Sequence, residues 1–380
     1  MQRGFARSEY QQRLVRAQTM MEVANLDALL LTTEPDIRYF TGYLTRFWES
    51  PSRPWFLVVP ASGKPIAVIP SIGAALMGRT WVDDIRTWRA PDSADDGVSL
   101  LTDTLNTLGA ARIGTPMGPE SHLRMPLADW ARVQAGLRGM VQDDARILAR
   151  LRAVKSQAEI NKIAQACAIA SRAFARVPEI AEEGVPLGRV FRDFQRLCLE
   201  EGADWVPYLA GAAAEGGYGD VISPADDTPL AIGDVLMLDT GLVRDGYFCD
   251  FDRNFSIGAP SGRVLSAHAR AIDAISAAAE IARVGATASA LFHAMDGIVT
   301  GGVGSGDAGR LGHGLGMQLT EGLSLTGDDH TVLQAGMVIT LEPSVATGAG
   351  KLLVHEEVIV ITDDAPRFLS PRAGPEMVQL

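Results

Sequence analysis

Cysteine is scarce in this chain, with three in 380 residues, at positions 167, 198 and 249. An odd, unpatterned set excludes a disulfide framework and fits free thiols in a reducing cytoplasm. Basic runs are missing too. Lys and Arg number 34 against 46 Asp and Glu, for a net charge of −12, and a surface of that sign suits neither nucleic acid nor an anionic membrane. No apolar window approaches the roughly 20 residues of a membrane span. The opening MQRGFARSEYQQRLVRAQTMMEVANLDALLL has arginines but no apolar core followed by small residues, so it does not read as a signal peptide. The expectation is a cytoplasmic protein without nucleic-acid or membrane partners.

What is present is an ordinary globular composition, 47% hydrophobic and 21% charged, over a length that exceeds one core. Residues 8 to 24 read as a helix and DALLLTT as a strand, followed by EPDIRYFTGYLTRFWES as an aromatic loop. Phe56 to Pro60 and Pro65 to Ile69 flank a short polar turn and read as a hairpin. Alternation continues through Asp83 to Trp88, a helix at 99 to 108, Ala111 to Gly114 and a helix around 125 to 138. That pattern is an α/β domain over residues 1–150.

Ser156 and Glu159 give the Ser-x-x-Glu capping pattern at the head of a long amphipathic helix, which opens a second domain, 151–380. A helix around 187 to 201 is followed by the loop-rich WVPYLAGAAAEGGYGDVISPADDTPLAIGD. Ala-rich helices then cover Gly262 to Val284 and Thr287 to Val299. GGVGSGDAGRLGHGLG forms a glycine-rich approach to His313, and GMVITLEPSV and KLLVHEEVIVIT alternate as strands.

Residues 235–256, VLMLDTGLVRDGYFCDFDRNFS, organise this second half. Two β-rich runs flank Asp245-Gly246, a strong hairpin signal. Folding about that turn brings Asp239 and Asp250 together on one face, where cross-strand Cβ atoms lie roughly 5 Å apart. Two carboxylates in an apolar setting repel, and a divalent cation removes the cost; on this stretch alone, one aspartate facing water is an open alternative. Alternation turns Cys249 to the opposite face, toward packing. Three further candidates follow. His313 sits between glycines, although a lone histidine can be purely structural. Glu342 closes an apolar run, and Glu356 lies inside another. Four carboxylates and one imidazole suit two divalent ions such as manganese, cobalt or zinc better than one structural zinc.

The strings LDTG, GYFCDFDR, GHGLG, LEPS and HEEVIVIT, in this order and with the aspartates eleven apart, resemble the pita-bread metallohydrolases: Xaa-Pro dipeptidases, aminopeptidase P, methionine aminopeptidases and creatinase. EPDIRYFTGY and LRAVKSQAEI resemble the N-terminal domain and linker helix of the dipeptidase and creatinase branch. The resemblance implies a creatinase-like α/β N-terminal domain followed by an α+β pita-bread catalytic domain. It further implies that Asp239 chelates the first metal, Asp250 and Glu356 bridge both, and His313 and Glu342 complete the second. A hydroxide between the ions would be the nucleophile and Glu342 its proton shuttle. The substrate would be a dipeptide or other small amide. A homodimer is expected, because the loop Tyr39 to Trp55 carries more aromatic surface than a solvated loop should expose, and in the dipeptidase and creatinase branch such loops cover the partner's active site.

Two family histidines are missing. None lies between Glu201 and Leu238, and the position seven after His313 is Thr320, in Thr320-Glu321-Gly322-Leu323. Thr320 can offer one neutral hydrogen bond where the family has an oxyanion donor. Asp252 stands where relatives carry Thr or Ser and adds a carboxylate to the same face, which favours a cationic or zwitterionic substrate; Tyr208 or His355 are the side chains to replace the lost histidines. Beside the dipeptidase stand two alternatives: a relative acting on a small zwitterion, like dimethylsulfoniopropionate lyases, ectoine-derivative hydrolases or creatinase, and a non-catalytic binding module.

Overall fold

The computed structural model describes residues 3–50, 53–304 and 309–380; residues 305–308 of the glycine-rich approach to His313 lie outside the described residues. The chain divides into two compact units, Met1–Leu151 and Arg152–Leu380.

The first unit runs α1 (Arg7–Val23), β1 (Ala28–Leu31), α2 (Glu34–Thr41), β2 (Phe56–Pro60), β3 (Ile66–Pro70), α3 (Ala74–Met77), β4 (Asp84–Trp88), α4 (Val98–Thr107), β5 (Arg112–Thr115), α5 (Leu127–Gly136) and β6 (Met140–Asp143). Its strands form one sheet in the order β4-β3-β2-β1-β5-β6. The pairs β1–β2 and β2–β3 are antiparallel and the rest parallel. Every residue of β1, β2 and β3 is buried, as expected of apolar runs covered on both faces. Leu30, Phe56 and Val58 share a core with Leu101 and Leu105 of α4.

The segment EPDIRYFT is a helix, not the expected loop. Thr33 is extended ahead of it, Pro35 falls in the first turn where a missing N–H costs nothing, and Gly42 ends it at φ 77°. The aromatic residues that follow do not form an exposed patch. Tyr39, Phe40, Tyr43 and Trp55 are at most 2% exposed. Trp55 is ringed by Tyr43, Phe47 and Trp48 at centroid distances of 5.5, 6.2 and 5.7 Å. Burying these rings on one another within the unit satisfies the apolar surface that had motivated the homodimer.

Helix α6 (Ile147–Ala153) leads into the second unit, which continues with α7 (Gln157–Ala175), α8 (Leu187–Glu200), β7 (Trp205–Glu215), β8 (Asp234–Arg244), β9 (Tyr247–Phe248), β10 (Phe251–Ser256), α9 (Gly262–Ile281) and α10 (Ala288–Val299). After these come β11 (Val338–Leu341), β12 (Ser344–Gly348), β13 (Lys351–Val354), β14 (Glu357–Val360), β15 (Arg367–Phe368) and β16 (Val378–Gln379). The capping box of α7 is complete: Glu159 N donates to Ser156 Oγ at 3.2 Å and Ser156 N to Glu159 Oε2 at 2.9 Å. One sheet has the order β16-β10-β8-β7, with β9 also on β8; β11-β14-β15 and β12-β13 form two smaller ones. Helices α7 and α8 pack on β8 and β7, and α9 on β12 and β13.

Two departures from the sequence expectation matter for the site. WVPYLAGAAAE is not loop but the strand β7, paired with β8 along nearly its whole length; its small residues admit close neighbours, a Cβ at Gly211 falling 3.0 Å from the Phe191 ring. The runs GMVITLEPSV and KLLVHEEVIVIT are each broken in two. Strand β11 pairs with β14 and β12 with β13, so the chain passes between two sheets twice, once at Glu342-Pro343 and once at His355-Glu356.

Candidate metal centre

The central hairpin forms as its turn chemistry requires. Asp245 and Gly246 both take positive φ, 49° and 80°, the condition for a two-residue turn that matches strand twist. The register differs from the expected facing pair. Asp252 lies directly opposite Asp239 and Phe251 opposite Thr240, so Asp250 is diagonal to Asp239. It sits in the break between β9 and β10, where its side chain is free of the regular ladder.

Asp250 is brought to His313 and Glu356. Ligand atoms of these three buried residues all lie within 4.8 Å of one another. His313 Nε2 is 3.3 Å from Asp250 Oδ2 and 4.0 Å from Glu342 Oε2. The imidazole is aimed by its other nitrogen: Nδ1 lies 3.0 Å from the Gly314 carbonyl, which only accepts, so Nδ1 carries the proton and Nε2 presents a lone pair. The flanking glycines permit the approach. A Cβ at Gly312 would fall 2.2 Å from the Thr340 carbonyl, and one at Gly314 2.0 Å from the Glu321 carbonyl.

Asp239 lies outside that tight trio and is tied to it by charge and by Tyr208, whose hydroxyl donates to Asp239 Oδ2 at 3.0 Å. Its Oδ1 is buried without a hydrogen-bond partner among the described residues, as is Glu356 Oε1. Burial pushes the carboxyls of Asp239, Asp250 and Glu356 well up, and repulsion from neighbouring carboxylates, Glu342 and Asp252 acting on all three, pushes them further. Glu342 is raised by burial, against the pull of His313 and Arg310. Orphaned carboxylate oxygens, converging like charges and a lone pair directed at them are the pattern a divalent cation resolves. The set fits such ions.

Asp252 does not play the part expected of it. It is 1% exposed, and its Oδ1 accepts from Glu356 N at 2.7 Å and lies 3.1 Å from His355 Nδ1, while Oδ2 accepts from Asn254 Nδ2 at 3.1 Å. His355 Nε2 is 3.5 Å from Glu357 Oε1, which also pairs with Arg253 at 3.2 Å. Burial alone would lower His355, but Asp252 and Glu357 outweigh it and raise its pKa. The Asp252 charge is met by a buried partner rather than by solvent, and it still helps to raise the carboxyls of Asp239, Asp250, Glu342 and Glu356. His355, clasped between two carboxylates, does not replace a lost histidine; the Tyr208 proton is committed to Asp239. Tyr218, 1% exposed, donates from its hydroxyl to Asn254 Oδ1 at 3.0 Å.

Thr320 Oγ1 accepts from Arg310 Nη2 at 3.1 Å. Its neighbour Glu321 turns away, to a buried ion pair with Arg152 and to Lys155 Nζ at 3.1 Å. Arg310 is a site residue that the sequence reading missed. Its one signal is position, three residues before His313.

Residues 161–363 match the family described as metallopeptidase family M24, and residues 13–154 match the creatinase/prolidase N-terminal domain. The chain is 29% identical over 367 residues to a probable dipeptidase PepE of Mycobacterium tuberculosis, spanning 95% of this chain and 94% of that one. It is 24% identical over 353 residues to an Xaa-Pro dipeptidase of Pyrococcus horikoshii, spanning 92% and 94%. The crystal structure of dipeptidase PepE from Mycobacterium ulcerans superposes with a TM-score of 0.84 at 27% identity, over 99% of each chain.

Proposed function

The chain belongs to metallopeptidase family M24 and is a hydrolase; from that premise we propose that it cleaves small peptides, Xaa-Pro dipeptides first among them, with two divalent ions held by Asp239, Asp250, His313, Glu342 and Glu356. The observation that carries this reading is the buried trio Asp250, His313 and Glu356, with ligand atoms within 4.8 Å of one another, together with Glu356 Oε1 and Asp239 Oδ1, which have no hydrogen-bond partner among the described residues. Residues 1–150 would be the creatinase-like N-terminal domain and 151–380 the pita-bread catalytic domain. Manganese, cobalt and zinc all suit the donor set.

Bound ions of this kind acidify water and polarise a carbonyl. The protein's own contribution is placement. Asp250 and Glu356 stand at breaks in their strands, so neither is tied to a ladder position. Tyr208 holds one oxygen of Asp239 and leaves the other for a ligand. Gly314, through its carbonyl, fixes the His313 tautomer. Glu342, whose side chain is 32% exposed against 5% for Asp250, combines a raised carboxyl with access to solvent, the combination needed to take up a proton and return it to a leaving amine.

Metal analysis of protein purified without chelator should give two divalent ions per chain. Ala-Pro and Met-Pro, assayed with manganese, cobalt and zinc, should reach kcat/KM of about 10⁴ M⁻¹s⁻¹ or more with at least one metal. The second reading, a non-peptidase acting on a small amide or zwitterion, is favoured by Thr320 in place of a charged donor; full metal content with no dipeptide turnover would select it. We also propose a homodimer, on the family reading alone, and expect a dimeric mass by light scattering at micromolar concentration.

A further inference from the structure

A cavity of about 370 Å³ lies in the second unit between the C-terminal half of α10 and the β12–β13 hairpin, and none of Asp239, Asp250, His313, Glu342 and Glu356 lines it. Phe292, Val299, Leu311 and Leu352 give it apolar walls, and two charged side chains, Asp296 and Lys351, also face it. Sites for small molecules run roughly 300–1,000 Å³ and combine apolar walls with a few placed polar groups. This cavity sits at the small end of that range.

Both of its charges are met only by neutral groups. Asp296 is 3% exposed. Its Oδ1 accepts from Thr300 Oγ1 at 2.6 Å and its Oδ2 from Gly304 N at 3.1 Å, which leaves half of the lone-pair sites of a carboxylate open. It stands in the last turn of α10, the end of a helix at which negative charge is disfavoured. Arg270 of α9 answers that helix end without reaching the carboxylate: its Nη2 donates to the carbonyls of Ile298 at 3.2 Å and Val299 at 2.8 Å. Lys351 Nζ donates to the Glu215 carbonyl at 2.6 Å, and an ammonium has two further N–H bonds to give. Neither Asp296 nor Lys351 forms an ion pair among the described residues. Capping the turn after α10 would account for the two hydrogen bonds of Asp296, but not for burying its charge without a counter-charge.

An occupant that answers both groups carries one positive and one negative charge on an apolar body. We propose that this cavity binds a free apolar α-amino acid of the size of leucine, its ammonium on Asp296, its carboxylate on Lys351 and its side chain against Phe292 and Leu352. The site is separate from the metal centre and does not depend on the peptidase reading. Calorimetric titration of the metal-loaded protein tests it with leucine, with isoamylamine, which lacks the carboxylate, and with isocaproate, which lacks the ammonium. Leucine should bind, and each of the other two at least about 10-fold more weakly, the range for losing a charge-assisted hydrogen bond. Asp296→Asn and Lys351→Met should each weaken leucine roughly 10- to 100-fold. Isocaproate should bind Asp296→Asn, and isoamylamine Lys351→Met, as they bind wild type. Lys351 is partly exposed and makes a single backbone hydrogen bond, so its variant decides the matter even where Asp296→Asn disturbs the end of α10; melting temperatures show which variants fold. Leucine binding should persist in Asp250→Ala, which separates this site from leucine held by the metals. Absence of leucine binding at millimolar concentration, its loss in Asp250→Ala, or unchanged affinity in folded Lys351→Met overturns the proposal.

Discussion

The ligand candidates were legible in the sequence for one reason: an acidic side chain inside an apolar run needs a counter-charge, whatever the fold. Asp239, Asp250, Glu342 and Glu356 all met that criterion. Who supplies the counter-charge is a tertiary fact. Asp252 looked like a fifth member because alternation gives the face of a residue and nothing of what lies behind it, and its partner His355 is 103 residues away. Arg310 escaped notice for the converse reason, since nothing local tells whether an arginine will end on a hydroxyl or a carboxylate. Two residue-scale outcomes follow. Asp250→Ala should lose metal and activity together; full occupancy by elemental analysis with normal turnover would remove Asp250 from the site. Asp252→Asn keeps the shape but weakens the hold on the Glu356 amide and leaves His355 short of a charge. We expect metal affinity, measured by chelator competition, to fall about 10- to 100-fold, and thermal stability to fall with it because one partner of a buried pair is gone. Unchanged affinity would make Asp252 purely structural.

Elements with strong local signals were readable in outline. The Ser156 capping box and the Asp245-Gly246 turn are short-range devices, and both form as their chemistry dictates. Helix α2 was hidden because aromatic density resembles a binding loop, while its true markers, Pro35 near the start and Gly42 at the end, are brief. Strand β7 was hidden because Ala and Gly have low strand propensity, overridden here by pairing with β8. The breaks at Glu342 and Glu356 cannot be read from alternation, which runs on unchanged as the chain leaves one sheet for another. These breaks, with the glycines about His313, set the geometry of the site. Gly312 has φ 139° and its added Cβ would meet the Thr340 carbonyl at 2.2 Å, a backbone clash that no side-chain rotation relieves. Gly312→Ala should therefore cost about 1–3 kcal/mol in denaturant unfolding and lower metal affinity in step, because His313 is the next residue. A normal unfolding midpoint would show that the segment yields.

At the scale of the molecule, the sequence conveys the order of elements better than their partnership, since the pairs that close the second unit span long stretches of chain: Tyr218 bridges Leu352, and Val154 bridges Met337. Electrostatic ties across such spans are invisible beforehand, and the one formed by Glu321 is the clearest. The side chains of Arg152, Lys155 and Glu321 are 10%, 1% and 6% exposed. They join the start of the unit to the turn that follows the His313 segment. Burial by itself would raise the Glu321 carboxyl, but Arg152 and Lys155 outweigh it and hold the pKa at about 2, below the ordinary 4.5. A carboxyl depressed in the folded state contributes stability that is complete above its unfolded pKa and is lost as pH falls toward its folded one. The shift corresponds to about 3 kcal/mol at pH 7. Glu321→Gln, which cannot titrate, should be less stable than wild type by at least that amount at neutral pH. The gap should narrow by about 2 kcal/mol between pH 7 and pH 3 as wild type gives up its own contribution. Urea unfolding at a series of pH values measures it directly, and a gap that stays constant down to pH 3 would mean that Glu321 is not held ionised by its two partners.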